Sequence, residues 1–312
     1  MSDKSFHWAG RVDSEDGAKG ARWHQRVTQL PTASSLALCG FCCDLGVQAN
    51  KGRVGAKEGP NAIRKAMGNL ASHTDYPLFD SGDIIADDNL DLAQEQYGEK
   101  ITALLKAHPF VFGLGGGHEI AWGSYQGLAK AAPDKTIGII NIDAHFDLRK
   151  PSPDTSSGTP FRQIAEHCNE TNQTFHYACI GVSEASNTVA LFDYARENNV
   201  KYLLDYQCNF EDVIALLTPI LSSIDELYLT ICLDAFPAYM APGVSAPSAL
   251  GIEPNLIIKL IHWLAESQHS HSFHWRLADV AEMNPRFDIN DCTAKLAARL
   301  IFEIANAKSR HT

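Results

Sequence analysis

Short runs of apolar, β-rich residues recur at 35–41, 109–114, 136–142, 174–180, 200–204, 226–233 and 276–281, with a weaker one at 78–84. Between many of them, apolar positions return every three or four residues, at 60–70, 93–107, 119–131, 211–222, 253–265 and 291–307. This alternation of strand and helix patterns predicts an α/β fold, a parallel sheet covered by helices on both faces. No internal repeat or low-complexity linker divides the 312 residues, so residues 35–312 read as one domain and the polar segment 1–34 as an extension packed on it. In such a sheet, ligands bind beyond the carboxyl ends of the strands.

Composition narrows the partners. A formal net charge of −11 with no cluster of Lys or Arg argues against nucleic acid, whose phosphates need grouped cations. Residues 1–25 are polar and charged, and no stretch has the length of a signal peptide or a membrane span, so the chain reads as cytoplasmic, without a membrane partner. Of the eight cysteines, Cys39, Cys179 and Cys232 fall inside apolar runs, which points to reduced thiols. Cys39 and Cys42 form a Cys-x-x-Cys pair, but residues 44–55 read as loop where a redox motif would open a helix.

Three strand ends carry candidate chemistry. After the run 109–114 comes Gly115-Gly116-Gly117-His118-Glu119, where residues without Cβ let the backbone turn His118 into the crevice. Neither the Lys-Ser/Thr of a phosphate loop nor Gly-x-Gly-x-x-Gly is present. The run 136–142 ends in Asp143-Ala144-His145-Phe146-Asp147, two carboxylates and an imidazole directly after a buried strand. Such charges are costly unless divalent metals offset them; the bland alternative is an N-cap Asp followed by a solvated loop. The run 226–233 leads through Cys232-Leu233-Asp234 to Ala241-Pro242-Gly243-Val244-Ser245-Ala246-Pro247, and alternation along an extended strand places 232 and 234 on one side. Histidines outside these motifs, His311 among them, read as surface or core residues.

Together these segments resemble the three signatures of the arginase, agmatinase and formimidoylglutamase superfamily, with further matches at 52–56, 59–64 and Glu282-Met283-Asn284-Pro285. The resemblance covers about residues 40–305 and implies a three-layer fold, a parallel eight-stranded sheet flanked by helices. Within the superfamily the sequence looks most like the formimidoylglutamase branch, which hydrolyses N-formimidoyl-L-glutamate to L-glutamate and formamide in histidine degradation. That preference rests on Trp8-Ala9-Gly10-Arg11-Val12-Asp13, Arg149, Ser157-Gly158-Thr159-Pro160-Phe161-Arg162 and Ser186-Asn187-Thr188. Phe161 stands where arginases and agmatinases carry a histidine, which counts against guanidine hydrolysis.

The resemblance implies two Mn²⁺ ions, with His118 and Asp147 on one, His145 on the other, and Asp143 and Asp234 shared or bridging. It implies a metal-bridging hydroxide as nucleophile. Asp147 would hold the nucleophile and move its proton, and Glu282 would pair with the amidine-like group of the substrate. Arg149 and Arg162, with Asn187 as a neutral donor, are the candidates for the substrate carboxylates, while Arg53 and Arg64 read as structural. The sixth metal position carries Cys232 where the family pattern has Asp, which would weaken one Mn²⁺ site or shift its preference. Family members commonly form trimers or hexamers, so a homo-oligomer is expected. The rivals are an agmatinase or other guanidino-acid ureohydrolase and a catalytically silent metal-binding homologue.

Overall fold

The structure is a computed structural model and describes residues 6–28, 30–33, 35–73 and 76–310; residues 1–5 of the polar extension and His311 lie outside these. In chain order the elements are β1 (Val27–Thr28), β2 (Leu36–Cys42), α1 (Leu45–Ala49), α2 (Gly59–Met67), β3 (Leu78–Ile85), α3 (Leu90–Ala107), β4 (Val111–Leu114), α4 (Ile120–Ala131), β5 (Ile137–Ile142) and α5 (Pro160–Glu170). They continue with β6 (His176–Val182), α6 (Val189–Glu197), β7 (Lys201–Leu204), α7 (Phe210–Leu221), β8 (Glu226–Cys232), α8 (Pro254–His271), β9 (His274–Ala281) and α9 (Cys292–Arg310). The strands form one parallel sheet in the order β1-β3-β2-β4-β9-β8-β5-β6-β7.

The sheet separates two cores. Along β2, Leu36 and Leu38 face one cluster while Ala37, Cys39 and Phe41 face the other, because successive side chains point to opposite faces. Helices α2, α7, α8 and α9 cover the first face, and α3, α4 and α5 the second. Side-chain caps start α3 and α7, where Asn89 accepts from the Leu92 amide and Asn209 from the Asp212 amide.

Several elements depart from the sequence pattern. The sheet has nine strands where eight were expected, because β1 is only two residues long and shows no periodicity, yet pairs with β3. Helices α1, α5 and α6 stand where no helix pattern was read. Helix α1 occupies part of 44–55, and its five residues are barely more than a turn. Cys39 and Cys42 still do not open it, since both belong to β2, and no disulfide involves any of the eight cysteines. Helix α6 buries only Ala195, so it presents almost no apolar stripe. The N-terminal segment packs against the helices and β3: Trp23 is 5% exposed with its ring 6.0 Å from that of Phe302, and Trp8 Nε1 donates to Asp80. No helix among the described residues is long and apolar enough to cross a membrane.

The register fixes where chemistry is possible. Leu114 pairs with Val280, Val280 with Ile231 and Ile231 with Ile142, so β4, β9, β8 and β5 end at one level in the middle of the sheet. The loops leaving these four strands carry His118, Glu282, Asp234 and Asp143.

Arg64 pins the other side of β2. It is fully buried, donates from Nε and Nη2 to the two Asp80 oxygens at 3.0 Å each and from Nη1 to Asp83 at 2.6 Å. A Cβ at Gly40 would collide with the Asp83 carboxylate, so glycine there makes room for the ion pair. Removing one partner of a buried pair leaves an uncompensated charge. Arg64→Met is expected to lower unfolding free energy by about 3–5 kcal/mol in urea titration; a loss within about 0.5 kcal/mol, the range of ordinary surface substitutions, would show that the pair is not structural.

Candidate metal centre

The Gly115-Gly116-Gly117 turn does not rely on left-handed backbone, since none of its glycines has positive φ. It relies on close approach. A Cβ at Gly116 would fall on the Cys43 carbonyl and one at Gly117 on the Glu119 carboxylate. The bare backbone lets the Gly116 amide donate to Phe41 O at 2.9 Å and the Gly117 amide to Cys43 O at 3.0 Å, which locks His118 over the strand ends.

His118 Nδ1 lies 2.9 Å from Asp143 Oδ2 and 3.0 Å from Asp147 Oδ2. On its other side Nε2 is 3.0 Å from Thr230 Oγ1, and Thr230 also bonds Asp279. A carboxylate only accepts, so the Thr230 hydroxyl donates to Asp279 and accepts Nε2–H; Nδ1 then carries its lone pair toward two carboxylates. It has no hydrogen-bond partner. Lone pairs facing one another at this distance repel unless a proton or a metal ion lies between them; burial opposes a proton there, yet the two carboxylates raise His118 well above its ordinary range. Donors about 2.1 Å from a common ion and at right angles to one another lie about 3.0 Å apart, the spacing found here.

Asp143 sits at the centre. Its carboxylate is fully buried, accepts from the His145 amide at 2.7 Å and from Asn141 Nδ2 at 3.1 Å, and belongs to two ligand clusters. One is His118, Asp143 and Cys232; the other is Asp143, His145 and Asp234, with His145 Nδ1 3.2 Å from Asp234 Oδ2. Asp147 and Glu282 complete the acidic floor, both with positive φ, 47° and 69°. Non-glycine residues held there store strain, a feature that concentrates at functional sites. Glu282 Oε1 accepts from the His118 amide at 2.9 Å, whereas Glu282 Oε2 and Asp234 Oδ1 are buried without a hydrogen-bond partner among the described residues.

Buried side chains of one sign set the electrostatics. Burial, and then the charge of Asp143, push Asp147 up to about 6. Burial also drives Glu282 and the Cys232 thiol well above their ordinary ranges, reinforced for Glu282 by Glu119 and Asp234 and for Cys232 by Asp143 and Asp234. For Asp143 burial acts in the same direction, yet protonated imidazoles at His118 and His145, the metal-free alternative to bound cations, outweigh it and hold the group below the usual carboxylate range. Ligand atoms without partners and carboxylates raised by burial and then by one another's charge are what a pair of divalent cations would relieve, so the residues present fit a binuclear metal centre.

The six proposed ligands thus converge, though not by the strand geometry read from sequence. Strand β8 ends at Cys232, and Leu233–Ala235 form a 3₁₀ turn that carries Asp234 to the second cluster; 232 and 234 do not share one side of an extended strand. Among the described residues no other histidine joins a cluster.

The substrate candidates separate. Arg149 is the one Lys or Arg among the residues lining the cavity of about 190 Å³ above the centre, and a Cβ at Gly158 would press on its Cδ and on Asn50. Arg162 does not line that cavity: its Nε bonds Glu166 at 2.9 Å and its guanidinium lies 3.9 Å over the Tyr194 ring. Helix α5 turns it outward. Asn187 reaches the cavity wall, but its amide is engaged, accepting from the Phe146 amide and donating to Ala144 O and Ser183 O, so it braces the Asp-rich loop rather than offering a free donor. Phe161 is fully buried, stacked 4.5 Å from Tyr177 with its ring 5.4 Å from that of His118. Arg53 is structural as expected, clamping the loop after β8 through Val244 O and Ser245 O.

The sequence profile of the arginase family matches residues 34–306. The chain belongs to the arginase family. Among curated members, formimidoylglutamase of Hahella chejuensis is 45% identical, covering 98% of this chain and 96% of its own. That of Vibrio vulnificus is 47% identical over 97% of this chain and 95% of its own. In structure, the chain superposes on Trypanosoma cruzi formiminoglutamase with Mn2+2 at a TM-score of 0.80 and 23% identity, over 91% of this chain and 97% of that one. This likeness shows the fold, an arginase-like α/β sheet.

Residues that the motifs did not reveal hold the centre from behind. Thr230 and Asp279 are register partners on β8 and β9, and Asp279 also accepts from Ser124 at 2.5 Å and Tyr228 at 2.6 Å. The one signal was an acid inside the apolar run 276–281. Partners behind a metal-binding histidine fix its tautomer, and losing one typically costs about 10–100-fold in metal affinity. Thr230→Val keeps shape but removes the acceptor of His118 Nε2–H, and is expected to weaken metal retention against a chelator by about that factor; unchanged retention would exclude this role.

Proposed function

We propose that this arginase-family protein hydrolyses N-formimidoyl-L-glutamate to L-glutamate and formamide, the amidine-cleaving step of histidine degradation, with two Mn²⁺ ions. The observation that carries the reading is the polarity of the cavity: a floor of acids, including Glu282 with an unpartnered oxygen, beneath a wall bearing a single guanidinium, Arg149. The substrate has the matching polarity, an amidine that becomes cationic at one end and carboxylates at the other. Identity of 45% and 47% to curated formimidoylglutamases over nearly the whole chain supports it.

His118, Asp143, Cys232 and Asp147 would hold one ion, and Asp143, His145 and Asp234 the other. Bound there, two divalent ions supply Lewis acidity and bring water near its deprotonation range at neutral pH. Glu282 pairs with the amidine and aligns its carbon over the centre, while Arg149 takes a carboxylate in a charge-assisted hydrogen bond. Asp147, which lines the cavity beside His118, serves as the group that accepts a proton from attacking water and returns it to the departing nitrogen of glutamate. Water thus adds to the formimidoyl carbon, the bond to the glutamate nitrogen breaks, and the carbon leaves as formamide. Asn187 positions the loop 143–147 for this work. The absence of a polar atom on Phe161 supports this reading over guanidine hydrolysis. We further propose that residues 1–34 belong to the same catalytic domain and that the protein works in the cytoplasm as a homo-oligomer.

Incubation of Mn²⁺-loaded protein with N-formimidoyl-L-glutamate is expected to yield glutamate and formamide in equal amounts; release of urea from agmatine or a guanidino acid instead would overturn the reading. Arg149→Met is expected to lower kcat/KM on the order of tenfold to a hundredfold, chiefly through KM. A variant with unchanged KM would remove Arg149 from the substrate.

A further inference from the structure

The two candidate metal positions differ in kind. His118, Asp143 and Cys232 bring an imidazole, a carboxylate and a sulfur within 4.8 Å of one another, whereas Asp143, His145 and Asp234 bring one imidazole and two carboxylates. Cys232 is 1% exposed, closes β8, and lines the cavity beside Asp234 and Glu282. A thiol filling apolar space would not share the lining of a polar cavity with Asp147, Asp234 and Glu282, as Cys232 does. Mn²⁺ favours oxygen donors, while Zn²⁺, Co²⁺ and Fe²⁺ accept thiolate readily, and a metal-bound thiol is deprotonated outright.

We propose that Cys232 ligates one ion only, as a thiolate, so that its position takes a borderline ion of the Zn²⁺, Co²⁺ or Fe²⁺ class ahead of Mn²⁺, while the position of His145 and Asp234 retains Mn²⁺. The proposal rests on the reading of the centre as binuclear but not on which amidine is cleaved. Divalent first-row ions that bind any nitrogen or oxygen site more tightly than Mn²⁺ will compete at both positions, so the signature is order of exchange. The first zinc equivalent displaces manganese from the sulfur position, and the second position exchanges later.

Cobalt reports the sulfur directly. Metal-free wild-type protein titrated with Co²⁺ is expected to develop a near-ultraviolet sulfur-to-cobalt charge-transfer band that saturates at one equivalent, and Cys232→Ser to lose the band while keeping the visible cobalt transitions. X-ray absorption at the zinc edge of wild-type protein loaded with one Zn²⁺ and one Mn²⁺ is expected to show a sulfur scatterer at about 2.3 Å, a measurement that does not depend on any variant folding. Only nitrogen and oxygen around zinc, or a cobalt band that survives in Cys232→Ser, would overturn sulfur ligation. In Cys232→Asp, the early-exchanging position is expected to hold manganese against the first zinc equivalent better than wild type does; unchanged exchange order would likewise refute the selectivity. Formamide release is read separately, so a protein that shows the sulfur signature without turnover refutes the amidine reading alone.

Discussion

Asp143 is shared by both ligand clusters, and its carboxylate is held ionised by imidazoles on either side in a place from which water is excluded. Asp147, Asp234 and Glu282 then have to sit within reach of a charge of their own sign. Repulsion of this kind is tolerated in a low-dielectric interior only if positive charge is supplied, by protons on the imidazoles or by metal ions, because among the described residues lining the cavity the one Lys or Arg is Arg149, on the wall. The sheet register follows from the same constraint. The acidic and imidazole ligands must converge from separate strands, and the common level of Leu114, Val280, Ile231 and Ile142 is what allows their loops to meet.

Rigidity behind the ligands is built from hydrogen bonds made by amides and hydroxyls. Asn187 ties the backbone of Ala144 and Phe146, Thr230 orients His118, and Asp279 is steadied by the hydroxyls of Ser124 and Tyr228. Each placement fixes a donor or acceptor without adding charge at the front of the centre. The strained backbone at Asp147 and Glu282 is held by that surround: the Glu282 amide donates to Gly116 O, and Asp147 O accepts from the Phe161 amide.

Much of the fold was legible because a parallel sheet buries its strands on both faces, so β2, β5, β6 and β8 announce themselves as apolar runs. Strand β1 and helices α1 and α6 were not, since two or five residues carry no period and a helix that buries only Ala195 carries no stripe. At the site, the metal-centre candidates stood out as polar residues abutting buried strands. Thr230 did not, because a β-branched residue inside an apolar strand is ordinary whether or not its hydroxyl matters. Arg149 and Arg162 looked equivalent in sequence; only the outward turn of α5 and the Glu166 partner distinguish them. Asn187 stood out in sequence as a site residue, but not that its amide bonds the loop it supports.

Phe161 connects the two halves of the functional picture. Its ring stacks on Tyr177 and meets the edge of His118, so it forms part of the dry wall behind the centre rather than its wet side. A histidine there would need a partner for each ring nitrogen. Tyr177 already spends its hydroxyl, donating to Phe146 O and accepting from Asn141 Nδ2. With an aromatic ring at this position, residue 161 offers no imidazole, and in the proposed reaction proton transfer would fall to groups that touch the cavity. Asp147, Asp234 and Glu282 are the acids that line it. The same residue that argues for a formimidoyl substrate would therefore also concentrate the proton chemistry of the proposed reaction on the acidic floor.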